Sequence, residues 1–227
     1  MKEIKSSCDL NTCLMCRLCI KEWLPAIAAH RKNFQFNKGE IIFKEGDEMR
    51  GIYFIQNGLV KVHKQWGNDK ELIIRFAKDG QIVGHRGLGS DIYFPVSATA
   101  LERTTVCFIE KDFFDSTLKV NHNFLYELMM FFAAELKESE KNMRNLAHMP
   151  VKGRIAQALL LLKEKFGTDD NNAIDIILSR QDLASYIGTS YETLFRMMNE
   201  MVEEGCIANP DKKIIITNET KLKVYIQ

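Results

Sequence analysis

No stretch of this 227-residue chain approaches the roughly 18 consecutive apolar residues that a membrane-spanning helix requires, so no such span is expected. The opening Met1-Lys2-Glu3-Ile4-Lys5-Ser6-Ser7-Cys8 lacks the apolar core of a secretory signal, and a cytoplasmic location is expected. Neither sign of charge dominates. With 31 Lys and Arg against 30 Asp and Glu, a strongly basic nucleic-acid coat and a strongly acidic chain are both excluded. Catalytic signatures are missing too: no Gly-rich phosphate loop follows a strand, and there is no His-x-x-x-His pair or nucleophile elbow. The five histidines, His30, His63, His85, His122 and His148, are scattered without ligand spacing. An enzyme is not expected. What remains is an ordinary folded composition, 46% apolar and 27% charged, with length enough for two domains.

Four stretches follow from the pattern: a cysteine-rich head (1–24), a strand-rich region (25–111), a long helix (112–148) and a small helical domain (149–227). In the second, Glu40-Ile41-Ile42-Phe43-Lys44, Gly51-Ile52-Tyr53-Phe54-Ile55, Leu59-Val60-Lys61-Val62-His63, Leu72-Ile73-Ile74-Arg75-Phe76 and Thr104 to Ile109 read as short strands. Asn57-Gly58 reads as a hairpin turn, because both positions tolerate positive φ. Short strands at this spacing favour a sandwich or barrel over a doubly wound sheet.

The long helix carries a seam. Leu125, Leu128, Phe132, Leu136, Ser139, Met143 and Leu146 are spaced 3, 4, 4, 3, 4 and 3, the repeat of a helix packed along a partner helix. Glu135, Lys137, Glu138, Glu140 and Lys141 clothe the opposite side, and homodimerisation through this helix is expected. Pro150 then marks a boundary.

Ser179-Arg180-Gln181-Asp182 is a capping box ahead of Leu183-Ala184-Ser185-Tyr186-Ile187. Gly188 ends that helix, Thr189-Ser190 restarts the chain, and Tyr191 to Glu203 carries Leu194, Met197, Met198, Met201 and Val202 as an apolar stripe. This is a helix-turn-helix pattern. On the other face of the second helix, Glu192 can accept from a cytosine amino group and Arg196 can donate twice to guanine. Tyr191, Phe195 and Asn199 share that face. Thr189 or Ser190 can meet a phosphate at the helix N-terminus. A Glu192–Arg196 pair also stabilises a helix on its own. Cys206-Ile207-Ala208 and Ile214 to Thr217 form a hairpin whose tip offers Lys212 and Lys213 to phosphate. Residues 150–227 hold ten Lys and Arg against eleven Asp and Glu, so non-specific affinity should be modest and salt-dependent, and two copies must share the work.

In the head, the order Cys8-x4-Cys13-x2-Cys16-x2-Cys19 brings four thiols within twelve residues. In a reducing compartment this is not a disulfide framework. It suffices for a zinc or iron–sulfur site, a thiol switch, or a set of small apolar side chains. Cys206, after Gly205, reads as core.

With these residues in hand the chain resembles a transcription regulator of the cyclic-AMP receptor and fumarate–nitrate reduction regulator (Crp/Fnr) superfamily. Lys38-Gly39-Glu40 through Gly46-Asp47, then Tyr53-Phe54-Ile55 and Gly58 to Val62, are similar to the family's first half-barrel. Leu178 to Ala184, Gly188, Thr189, Glu192-Thr193 and Arg196 are similar to its helix-turn-helix. The resemblance implies an α+β fold: an N-terminal cyclic-nucleotide-binding-like β-roll (jelly roll), a long dimerisation helix and a C-terminal winged helix-turn-helix. It implies a homodimer on palindromic double-stranded DNA that also contacts RNA polymerase. The family's base-reading Glu and Arg fall on Glu192 and Arg196, and its phosphate-contacting arginine falls on Arg180. Phe195 stands where relatives carry a small residue that helps set base preference.

The Gly-Glu pair that holds ribose in cyclic-AMP binders falls on Gly84-His85, and the Arg-Ser pair that holds phosphate falls on Ser97-Ala98. An anionic phosphate would be left unpaired there, so cyclic AMP is not the expected effector. An effector pocket at Gly84, His85, Ser97 and Ala98 would need another ligand. The cysteine head resembles the oxygen-sensing branch, whose cluster uses three N-terminal cysteines and a fourth in the sensor domain, near Cys107 here. An iron–sulfur cluster is the expected cofactor, with zinc or a thiol switch on the same residues as the alternative. A constitutive regulator with no effector also stays open.

Overall fold

The computed structural model describes residues 2–4, 10–67, 70–210 and 213–226. Cys8 and Lys212, both singled out in the sequence, lie outside the described residues. The chain divides into two compact units, 1–135 and 136–227. Among the described residues, no helix is long and apolar enough to cross a membrane.

The first unit is built on two antiparallel sheets. One has the order β1 (Lys2–Glu3), β2 (Arg31–Phe36), β9 (Thr104–Glu110), β4 (Gly51–Asn57) and β7 (Ile82–Val83). The other has the order β3 (Ile41–Phe43), β8 (Ser97–Ala100), β5 (Val60–Trp66) and β6 (Lys70–Ala77). Strand alternation sets the inner faces. Val60 and Val62 are buried while Lys61 between them is not, and they share a core with Ile52, Phe54, Val106 and Ile109.

Asn57-Gly58 is not the hairpin its dipeptide suggests. β4 pairs with β9 and β7, whereas β5 pairs with β8 and β6, so these residues carry the chain from one sheet to the other. Gly58 sits at φ 117°, and a Cβ there would lie 2.5 Å from the Thr104 hydroxyl. Asp79 accepts its N–H at 2.7 Å. The glycine serves a close approach rather than a tight turn.

The head folds as α1 (Leu14–Leu18) and, after a 3-10 turn, α2 (Leu24–His30). It is tied down by Ile20 N–H donating to Asn121 at 2.8 Å and by the Trp23 indole donating to Thr117 at 3.1 Å. That same Asn121 divides the expected single long helix into α3 (Lys111–Val120) and α4 (His122–His148). Its side chain also donates to the Thr117 carbonyl at 2.9 Å, and a short amide that bonds the preceding turn competes with helix continuation.

The seam on α4 is rephased. Leu128 is only 3% exposed and joins Phe124 in the core of the first unit, with Phe131 and Phe132 packed against it. The apolar face turned outward runs instead through Leu125, Tyr126, Met129, Met130, Leu136, Met143 and Leu146. Leu128, Met129 and Met130 are consecutive apolar residues, so spacing alone could not choose among them.

The second unit contains α5 (Val151–Phe166), α6 (Arg180–Ile187), α7 (Tyr191–Glu203), a short antiparallel pair β10 (Ile207–Ala208) and β11 (Ile215–Ile216), and α8 (Glu219–Val224). Ile155, Leu159, Leu162, Leu183, Leu194, Met198 and Leu222 are buried. Val202, expected on the buried stripe of α7, is exposed, and Met197 is half-buried.

Candidate functional site

Two caps set the helix-turn-helix. The Ser179 hydroxyl accepts the Asp182 N–H at 2.9 Å and starts α6. Gly188 ends it in the left-handed region at φ 74°, ψ 48°, with its N–H and that of Thr189 both donating to the Ala184 carbonyl. The Ser190 hydroxyl accepts from Thr193 N–H at 3.2 Å and starts α7. Arg154 of α5 braces the turn by donating to the Gly188 carbonyl at 3.2 Å, a role that nothing in its helical context advertised.

α7 turns Leu194, Met198 and Met201 inward. Ser190, Tyr191, Glu192, Phe195, Arg196 and Asn199 are exposed together. Among the described residues no ion pair joins Glu192 to Arg196, so the intrahelical pairing that spacing allows is not made. Both heads are left for another partner. The Tyr191 and Phe195 rings stack, with centroids 6.3 Å apart and planes 13° apart.

Two expected phosphate contacts are otherwise engaged. The Arg180 guanidinium donates to the Asn209 side chain, linking the start of α6 to the wing. Lys213 pairs with Asp169, and that bond raises the lysine pKa while lowering the aspartate's. These partners lie 29 and 44 residues away, beyond the reach of local spacing. Thr189 is half-buried at the turn.

In the first unit, the residues expected around an effector are closed in. Gly84 adopts φ 88° at the start of a 3-10 turn, His85 is buried beneath it, and Ser97 and Ala98 are buried in β8. Ser97 accepts from Glu45 N–H at 2.9 Å. His85 is not open to a ligand, because Glu135 of α4 reaches in and takes its Nε2 at 2.9 Å. The same carboxylate meets Arg75 Nε at 3.0 Å and Arg86 Nη2 at 3.0 Å. Phe131 and Phe132 flank the imidazole edge-on, and the Arg75 guanidinium lies over the Phe131 ring, 5.4 Å from its centroid. Arg103, the other nearby arginine, bonds Gln35 instead.

This cage overturns the placement of Glu135 on a solvated side of the helix. Burial by itself would raise the carboxyl pKa. The His85 bond and the charges of Arg75, His85 and Arg86 outweigh it and hold Glu135 at about 2. Burial, with Arg75 and Arg86, lowers His85 below 6.5 against the pull of Glu135. His85 is therefore neutral at pH 7, donating through Nε2–H and leaving Nδ1 buried without a hydrogen-bond partner.

A pH dependence follows. The unfolded chain binds a proton at His85 that the folded chain resists, so stability is lost as pH falls below about 6.5. The depressed Glu135 contributes stability above its unfolded pKa, lost as pH falls from 4.5 toward about 2. Thermal melts should drop between pH 7 and 5, and His85→Gln, which keeps a donor but does not titrate, should flatten that drop. An unchanged slope in the variant would contradict this assignment.

In the head, Cys13 caps the N-terminus of α1, Cys19 its C-terminus, and Cys16 lies within it; all three are buried, as is Cys107 in β9. These are thiols without disulfides. Burial first, and the charge of Cys13 second, push the Cys19 pKa up to about 12. Among the described residues, no three His, Cys, Asp or Glu side chains converge as a metal-binding group, although Cys107 shares one buried core with Cys13, Cys16 and Cys19.

Two family models match this chain: a cyclic nucleotide-binding domain over residues 33–121 and a Crp-like helix-turn-helix domain over residues 153–225. The "Anaerobic regulatory protein" of Bacillus subtilis (strain 168) is 28% identical over 210 residues, covering 91% of this chain and 87% of that protein. The "Fumarate and nitrate reduction regulatory protein" of Escherichia coli (strain K12) is 27% identical over 220 residues, covering 92% and 87%. Among solved structures, FixK2 from Bradyrhizobium japonicum superposes with a TM-score of 0.77 at 21% identity, covering 87% of this chain and 98% of that one. The likeness to FixK2 is one of fold.

Proposed function

This chain belongs to the Crp/Fnr superfamily of transcription regulators, and we propose that it acts as a cytoplasmic homodimer that reads a palindromic DNA site in response to a redox or small-molecule signal. It is a DNA-binding regulator and not an enzyme. The observation that carries the DNA reading is the exposed row Ser190, Tyr191, Glu192, Phe195 and Arg196 on a capped second helix, with Glu192 and Arg196 unpaired to each other. Selection from a random-sequence duplex pool tests it. A two-fold-symmetric site should be enriched; recovery of no preferred sequence would reject the reading. RNA polymerase is the further partner that family membership implies.

The outward apolar face of α4 supports pairing of two copies, and its inward face supports a route for the signal. Glu135 ties the helix to β6 and to the turn after β7, so a change in the β-roll would alter how the helix is held. Cyclic AMP is not the proposed signal. Ser97-Ala98 offers no arginine for a cyclic phosphate, and His85 is taken by Glu135.

The cysteine head is proposed as the redox element, a role consistent with a relative named for anaerobic regulation. Its donor chemistry fits a soft metal. Cys13 and Cys19 flank one short helix, and thiols are soft donors that give up their protons to a bound cation. Cys13, Cys16 and Cys19, with Cys8 or Cys107, would hold it. An iron–sulfur cluster, when bound, supplies a reversible response to oxidant; zinc on the same residues is the alternative. The chain's own residues anchor the segment: Asn121 accepts from Ile20, and Gly80 accepts from Leu14 N–H at 3.2 Å. Anaerobic purification with iron, zinc and sulfide analysis should find metal in the native chain and none in Cys13→Ser, Cys16→Ser. A metal-free native protein would leave the β-roll as the input.

A further inference from the structure

Phenylalanine is an unusual residue to leave in the middle of a base-reading face. Phe195 is 55% exposed and Tyr191, one turn before it, 43% exposed. The side chain of Phe195 makes no hydrogen bond, so hydrating its ring returns nothing. The Tyr191 ring lies nearly parallel to it, with centroids 6.3 Å apart, an i,i+4 aromatic pair on the helix surface that favours one orientation of the ring. Both line a shallow cleft with Arg180, Leu194, Met198, Asn199 and Asn209, where α6, α7 and the base of the wing meet. Phe195 lies between Glu192, one turn before it, and Asn199, one turn after, and next to Arg196. A polar partner would satisfy those three neighbours and leave the ring unmatched.

The major groove presents one apolar group to a protein, the C5-methyl of thymine. A rigid ring set among hydrogen-bonding residues is suited to it. We propose that Phe195 is a specificity-determining residue that reads a thymine methyl in each half-site, and that Tyr191 is a positioning residue that fixes the Phe195 ring by stacking. This rests on the DNA reading above and names what that reading leaves open: the base that faces the non-polar part of α7. The ring would discriminate against cytosine and against uracil through the same missing methyl.

The test uses the full-length protein and the duplex recovered by selection from a random-sequence pool. Each thymine is replaced by deoxyuridine in symmetric pairs, which removes the methyl and leaves base pairing intact. One symmetric pair should weaken binding by about fourfold per half-site, the transfer value of a single methyl group. Phe195→Ala should bind the original duplex more weakly but respond little to the same replacement. Tyr191→Ala should lose much of the methyl discrimination, and Tyr191→Phe, which keeps the ring, should restore it. Because both side chains are exposed, each variant should melt at the native temperature.

A native protein that binds its selected site and tolerates deoxyuridine at every thymine would overturn the proposal. So would a methyl effect that survives intact in Phe195→Ala, since another side chain would then read it. Full discrimination in Tyr191→Ala would remove Tyr191 from its positioning role. Failure of the pool to enrich any sequence is a different result: it rejects DNA reading itself, and this inference with it.

Discussion

Replacing Glu135 by Gln should destabilise the first unit by on the order of 3–5 kcal/mol, the cost of removing one partner from a buried ion cluster. The glutamine fills the same volume and can still accept a hydrogen bond, so what is lost is charge. Arg75 is buried, with an Nη2 donor already given to the Ile82 carbonyl and its cation lying over Phe131. Without the carboxylate, two guanidinium groups face each other across a neutral His85 with no anion between them. The melting temperature should fall by roughly 10 °C. Glu140→Gln, an exposed neighbour on the same helix, should change it by little. The double variant Glu135→Gln, Arg75→Met removes the stranded charge and should recover part of the loss, because a buried pair replaced by apolar volume is often neutral. A melt within about 1 kcal/mol of native for Glu135→Gln would mean the cage does not lock the helix to the β-roll.

The second large effect is expected on the outer face of α4. Leu136 is 61% exposed and Met143 66%, seven residues apart on one side of the helix. Leu136→Glu, Met143→Glu would set like charges against each other along a two-fold seam, at a cost of several kcal/mol. Sedimentation should then show a monomer. DNA affinity should fall by at least two orders of magnitude, because each half-site would be bound independently and the domain's own charge is not basic. Leu128→Ala should behave differently, lowering stability by roughly 2–5 kcal/mol through a core cavity while leaving the dimer intact. A stable dimer in the double-glutamate variant would place the pairing surface elsewhere.

Those two variants also mark where the sequence was informative. The helix-turn-helix was legible because caps are local. Ser179, Gly188 and Ser190 act within three or four residues of themselves, and each does in the structure what its type suggests. Strand positions were legible for the same reason, through alternation along β5 and its neighbours. Pairing was not: Asn57-Gly58 has the chemistry of a hairpin, but the two strands it joins bury their inner faces in different sheets. The seam on α4 was half legible. A helix packed on one side by its own β-roll and apolar on the other shows two overlapping stripes, and Leu128 belongs to the inner one.

Glu135 was hidden because it looks like its neighbours Lys137, Glu138 and Glu140. Its partners Arg75, His85 and Arg86 are about 50 to 60 residues earlier in the chain. Arg180 and Lys213 have distant partners in the same way, Asn209 and Asp169, which local spacing does not show. Glu192 and Arg196, read on residue type, are both exposed and make no ion pair with each other.

The most direct measurement is a binding titration of the selected palindromic duplex and of the same duplex with one half-site scrambled, at about 0.15 M salt, the regime in which phosphate contacts alone are weak. The native protein should bind the intact site as two chains per duplex and prefer it by at least about 10³ over unrelated sequence. Arg196→Ala should lose roughly 1–3 kcal/mol per half-site with no change in melting temperature. Equal affinity for intact and scrambled duplexes, indifferent to Arg196→Ala, would contradict a dimeric reader of DNA sequence.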